Sequence, residues 1–233
     1  MTTKYEQISS SLFVKNRKKF TEKMQPKSLA IFNSNDIYPV SSDSTLPFAQ
    51  HRDIFYLSGV DQEESILLIF PDAYKEEHRE ILFLRETNEH IAIWEGEKLT
   101  KEKATEVSGV KTVLWLSDFD RIFYNLMNEA ENIYLNKNEH YRAVLEVQTR
   151  EDRFIERVKK EFPLHEILRS NPILQHLRSV KEPEEISLMQ TACNITEKGI
   201  RRLLNFIKPD VWEYEIEAEL IHEFIKNRSK GFA

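Results

Sequence analysis

Apolar positions Ile8, Leu12, Phe20 and Met24 recur at roughly helical spacing ahead of Pro26, and they predict an amphipathic helix ending near Gln25. Short runs of branched and aromatic residues follow at 29–32, 54–57, 66–70, 81–84, 91–94, 113–116 and 133–135, each of a length and composition that predicts a strand. Helical patterns at 99–107 and 118–128 separate the later runs, the second with Asp118 placed as an N-cap. Strand and helix signals that alternate in this way predict an α/β domain. Residues 33–47, rich in Asn, Asp, Ser and Pro, read as a long irregular loop of the kind that is functional or mobile.

After about Glu151 the strand-like runs stop, and Pro163, Pro172 and Pro183 punctuate charged helical stretches. A long helix starts at Pro183, with Glu184 and Glu185 in the first turn, where the helix dipole favours acids. Within it Ile186, Met189, Cys193, Thr196, Ile200, Leu203 and Ile207 step by three and four and draw one apolar stripe. That stripe is expected to pack against the α/β body or another copy of the chain, or to fray. Pro209 breaks the helix, Asp210 and Glu213 read as a capping box for a second helix, and Gly231 reads as its stop. The chain thus divides into an α/β body and a helical hairpin.

At 233 residues with 40% apolar content the chain can bury a core, and a formal charge of -6 disfavours a nucleic-acid partner. The longest apolar runs are far below the roughly 20 residues that cross a bilayer, so no membrane partner is expected. A polar start without a basic-then-apolar plan, together with a single cysteine, predicts a cytoplasmic protein.

Isolated glycines exclude a dinucleotide fingerprint and a phosphate loop. Cys193 sits on the apolar stripe and reads as a buried small hydrophobe rather than a nucleophile. Seven histidines are scattered singly, His222 lacks the second histidine a zinc helix needs, and Glu219 with His222 is half of a di-iron pair at most. The carboxylates of the second helix read as a solvated face paired in part with Lys226 or Arg228, and Asp61, Glu63 and Glu64 as a turn. The residues by themselves offer no catalytic constellation.

The stretch Phe48-Ala49-Gln50-His51-Arg52-Asp53-Ile54-Phe55-Tyr56-Leu57-Ser58-Gly59-Val60, followed by a short acidic turn and an apolar run, resembles the N-terminal domain of the aminopeptidase P family. Ile93-Trp94-Glu95-Gly96-Glu97-Lys98-Leu99 is similar to a second element of that domain, with Lys98 where arginine is usual. Leu177-Arg178-Ser179-Val180-Lys181-Glu182-Pro183-Glu184-Glu185-Ile186 resembles the start of the pita-bread catalytic domain. The resemblance implies a mixed β-sheet flanked by helices over residues 1–174, then the first helices of a pita-bread domain over 175–233.

It further implies release of an N-terminal residue from peptides with proline in second position. Two manganese ions would activate the attacking water in the intact enzyme, held by two aspartates, a histidine and two glutamates. No position here matches those five ligands, so the chain is expected to hold no metal and to be inactive alone. Its implied role is assembly of a homo-oligomer, dimer or tetramer, and gating of the active-site mouth. Asp53 and Trp94, with Arg52 and Tyr56 beside them, would line a neighbour's substrate pocket across the subunit interface. If they do not, Asp53 caps a turn and Trp94 packs on the sheet. Two rivals remain: a catalytically dead pita-bread relative that binds peptides or proteins, and an unrelated small-molecule-binding α/β domain.

Overall fold

The computed structural model describes residues 7–143 and 146–229. Helix α1 spans Ser10–Thr21, with Ser9 Oγ accepting from the Ser11 amide. Strand β1 (Ser28–Asn33) follows, then a small hairpin of β2 (Pro39–Ser41) and β3 (Ser44–Thr45) inside the loop expected to be irregular. Next come α2 (Arg52–Ser58), β4 (Ile66–Ile69), β5 (Glu80–Leu84), α3 (Glu89–Glu95), α4 (Lys101–Ser108), β6 (Thr112–Trp115), α5 (Phe119–Glu129) and β7 (Asn132–Leu135). The body closes with α6 (Arg150–Glu161), β8 (Glu166–Arg169) and α7 (Asn171–Ser179). Helices α8 (Pro183–Phe206) and α9 (Glu213–Lys226) complete the chain.

Six strands form one mixed sheet in the order β6-β5-β4-β1-β7-β8. Strand β4 runs antiparallel to both β1 and β5, whereas β1–β7, β5–β6 and β7–β8 pair in parallel. The central strands are buried on both faces, which is why they read as unbroken apolar runs. Leu29, Ile31, Leu68, Ile81, Phe83 and Ile133 face α5 and α6. Ala30, Phe32, Leu67, Ile69, Leu82 and Leu84 face the opposite way, with Phe20 of α1, Ile54 and Leu57 of α2, Ala104 of α4 and Leu174 of α7. The α/β fold with a mixed sheet flanked by helices is therefore present.

Two expected strands are helices. Residues 54–57 lie in α2, where Ile54 and Leu57 are buried at helical spacing, His51 Nδ1 accepts from the Asp53 amide, and Gly59 closes the turn at φ 69°. A Cβ on Gly59 would stand 2.2 Å from the Phe13 ring, so this cap requires glycine. Residues 91–94 lie in α3, whose first turn is fixed by Asn88 Oδ1 accepting from the Ile91 amide at 2.9 Å. In both segments cap chemistry decides over β propensity. Asp118, expected as a side-chain cap of α5, instead takes Arg121 at 2.6 Å.

The strand signal that fades after Glu151 does not mark the end of the sheet: α6 packs Phe154 and Val158 onto it and β8 adds an edge strand. Two compact units meet at Ser179/Val180, close to the 174/175 boundary that the resemblance implies.

In the hairpin, Gly199 sits against Leu220 and Phe224. This small residue lets the two helices approach along its own flank, and the predicted stripe is turned outward: Ile186, Met189, Ile200 and Ile207 are about half-exposed or more. Cys193 is exposed for the same reason, not buried as the stripe implied. Asp210 adopts φ 71° and caps nothing; the α9 start is closed by Glu215, whose carboxylate accepts from the Trp212 amide at 2.8 Å. The carboxylates Glu219 and Glu223 lie against Arg202 of α8, and Lys226 also attracts Glu223. The expected stop at Gly231 lies outside the described residues.

Candidate functional site

The segment leading into α2 is tied down from both sides. Buried Gln50 donates through Nε2 to the carbonyls of Val60 and Gln62, and its Oε1 accepts from the His51 amide at 2.8 Å. Gln62 Oε1 in turn accepts from the Leu99 amide at 2.7 Å, and Glu63 pairs with Lys98 in a well-shielded ion pair. Glu64 pairs with Arg85 at 3.2 Å. The acidic turn 61–64 is thus where the segments at 48–60 and 93–99 are joined, and its acids serve structure.

Asp53 is buried, and both its oxygens are engaged. Oδ1 accepts from Arg178 Nη1 at 2.8 Å and Oδ2 from Asn136 Nδ2 at 3.1 Å. Ser170 Oγ then donates to Asn136 Oδ1 at 2.8 Å. This chain of bonds fastens α2 to the end of β7 and to α7, while the helix cap is supplied by His51. His51 lies 3.8 Å from Asp53, yet its pKa is lowered, first by burial and then by Arg178 and Arg52, against the pull of Asp53. A neutral imidazole agrees with Nδ1 accepting from the Asp53 amide.

Arg52 and Asp53 are neighbours with opposite fates: Arg52 is exposed while Asp53 is covered. Tyr56 is half-buried beside the core, its carbonyl taking Asn16 Nδ2 at 2.9 Å. Trp94 stands apart on α3 and is 77% exposed, with Ile93 at 76% beside it. It does not pack on the sheet. Three of the four expected rim residues therefore share α2, and the fourth sits on a separate short helix.

What the residue pattern missed is the set of partners. Arg178, Asn136 and Ser170 are distant in sequence and carry no motif of their own; only Arg178 falls in a stretch that resembles the family. Among the described residues no three His, Cys, Asp or Glu side chains gather in a way that could hold a metal ion. A dinuclear manganese centre does not fit these residues. No helix among them is long and apolar enough to cross a membrane.

Comparison with known proteins agrees with this geometry. The family described as "Aminopeptidase P, N-terminal domain" matches residues 13–134. The chain is 27% identical over 225 residues to Xaa-Pro aminopeptidase of Escherichia coli strain K12, covering 96% of this chain and 51% of that protein. Against Xaa-Pro aminopeptidase of Haemophilus influenzae it is 29% identical over 212 residues, covering 91% and 46%. The chain spans about half the length of the curated relatives it matches.

Among solved structures, Zn-substituted E. coli aminopeptidase P in complex with product superposes with a TM-score of 0.77 at 27% identity, over 95% of this chain and 50% of that one. A Bacillus anthracis protein described as an aminopeptidase P shares the fold with a TM-score of 0.84 at 24% identity, over 94% and 52%. The three motif segments, joined to one another through Asp53, Gln62 and Glu63, and the match over 13–134 place this chain in the aminopeptidase P family, whose N-terminal domain it carries.

Proposed function

We propose that this chain is the N-terminal part of a manganese-dependent Xaa-Pro aminopeptidase, the enzyme that removes an N-terminal residue preceding proline. The observation that carries this reading is the match along more than nine-tenths of the chain to two bacterial Xaa-Pro aminopeptidases, each about twice as long. In this reading the hydrolytic step would use a metal-activated water, for which no ligand cluster forms among the described residues. The chain serves assembly of a cytoplasmic homo-oligomer and narrows the active-site mouth against large proteins.

In this role Trp94 and Arg52, both exposed, contribute to the rim of a neighbouring subunit's peptide pocket. Tyr56 and the Asp53–Arg178 pair hold α2 in position behind them. Incubation of the purified chain with a Xaa-Pro peptide and Mn²⁺ tests the reading: no release of the first residue is expected. Release that a chelator abolishes would place a functional metal centre within this polypeptide and overturn it.

A further inference from the structure

An open cleft of about 550 Å³ lies beside the sheet where β1 ends at Asn33 and β4 begins at Ile66. Strands β1, β5, β6, β7 and β8 all run in one direction, so their carboxyl ends share this edge. Open α/β sheets bind small ligands in such crevices. Helix α6 lines the cleft with Arg150, Arg153 and Arg157, all on one face, and Leu116, Phe119 and Phe154 form an apolar wall. The first turns of α5 and α6 open onto it, and the Arg150 amide at the start of α6 donates to Asp36 Oδ2 at 2.8 Å.

The three arginines are not equivalent. Arg153 pairs with Asp36 at 2.5 Å, and Arg157 with Asp120 at 2.8 Å and Glu161 at 3.1 Å. The Arg150 guanidinium makes one hydrogen bond, from Nη1 to Ser34 Oγ at 3.0 Å, and has no carboxylate at ion-pair distance among the described residues. A guanidinium carries five donors, so most of its capacity is unspent. Burial lowers its pKa, a cost that the attraction of Glu64 and Asp36 offsets only in part. A largely buried cation with no carboxylate in direct contact suits a planar oxyanion, which it can take with two parallel bonds.

The acids of the cleft narrow the choice of ligand. Asp36, Glu64 and Asp120 balance the three arginines in formal charge, so a dianion such as phosphate would meet three carboxylates. A monoanion that also carries an ammonium group satisfies both signs. We propose that this cleft binds a small zwitterion with an apolar side chain, a free amino acid or short peptide, its carboxylate on Arg150, its ammonium sharing the carboxylates that line the cleft, Glu64 and Asp120, with the arginines they already pair, and its side chain against Phe119 and Phe154. The site belongs to the body alone and is independent of the peptidase reading.

Titration of the isotope-labelled full chain with L-phenylalanine, followed by amide NMR shifts, tests it. Saturable shifts confined to residues 33–37, 116–120 and 150–157 are expected, with a dissociation constant on the order of 1 mM for so small a ligand. N-acetylphenylalanine, which lacks the ammonium, and phenethylamine, which lacks the carboxylate, should each bind at least about tenfold more weakly, as should Arg150→Gln. Ile37→Trp, at an exposed cleft position, should obstruct binding while leaving every charge in place. Absence of saturable shifts overturns the proposal, and so does inorganic phosphate binding as tightly as phenylalanine. If Arg150→Gln fails to fold, a folded Ile37→Trp that binds like the parent chain is equally fatal to it.

Discussion

The body and the hairpin spend their apolar residues differently. In the body, strands buried on both faces and helices on each side leave Phe20, Phe32, Phe83 and Phe123 without measurable exposure. In the hairpin, the described burial centres on Gly199 and Phe224, while Ile186, Met189, Leu204, Ile225 and Trp212 stay in water. A sheet with two covered faces completes its own core, whereas two helices can cover only one flank of each other. The body should therefore unfold as a cooperative unit, and the hairpin should contribute little to that transition.

The strongest way to break this contrast is to empty the body's core. Phe123 stacks on Phe119 at 5.3 Å and meets Phe154 at 5.6 Å and Phe162 at 5.5 Å. Phe123→Ala should cost about 3–5 kcal/mol, seen as a large fall in the urea midpoint. Phe224→Ala, equally buried but in the hairpin, should leave that midpoint in place. Equal shifts from the two variants would mean that the hairpin belongs to the same cooperative unit.

Strands β1, β4, β5 and β7 could be read from the sequence because doubly buried strands are short apolar runs bounded by turn residues, and the edge strand β6 could be read because its run Val113-Leu114-Trp115 is apolar as well. The same signal misleads at 54–57 and 91–94, where run composition says strand but His51, Gly59 and Asn88 supply helix ends. Strand β8 escapes because its four residues carry a charge at each end, as edge strands do. Asp53 is visible within its motif, but Arg178 lies 125 residues downstream and Asn136 lies 83, and no local pattern encodes such pairings. The arginine-lined cleft is likewise assembled from segments that only the topology brings together. The stripe on α8 was real as a pattern, yet Gly199 decided which flank is covered.

A second, smaller contrast concerns protons. Glu151 is fully buried in the body, and burial raises its pKa to about 8 although Asn33 donates to it from its amide at 3.1 Å and its side chain at 2.8 Å. The hairpin's Glu223 goes the other way, lowered first by the Asn227 side chain. Between about pH 4.5 and 8 the folded body thus keeps a proton that an unfolded Glu151 releases. Its contribution is complete below that window and is lost as pH rises through it. Glu151→Gln should flatten the decline and gain about 1–3 kcal/mol over the parent chain on the alkaline side of the window. Urea unfolding on both sides of the window measures this; an unchanged slope would remove Glu151 from the account.

The smallest effect is expected where α8 meets α9. Arg202 Nε contacts Glu219 Oε2 at 2.5 Å, and its Nη1 lies 3.6 Å from Glu223. The Arg202 and Glu219 side chains are about a third exposed, so water screens the pair, and Arg202→Ala should cost only about 0.2–1 kcal/mol. Because the hairpin is held by one apolar flank, even that loss should speed hydrogen exchange of amides in α8 and α9. Exchange within β1, β4 and β7 should not change, since no bond of Arg202 reaches the sheet. Faster exchange in those strands would show the two regions sharing one unfolding equilibrium, and the contrast between a closed core and an open hairpin would then describe their surfaces but not their stability.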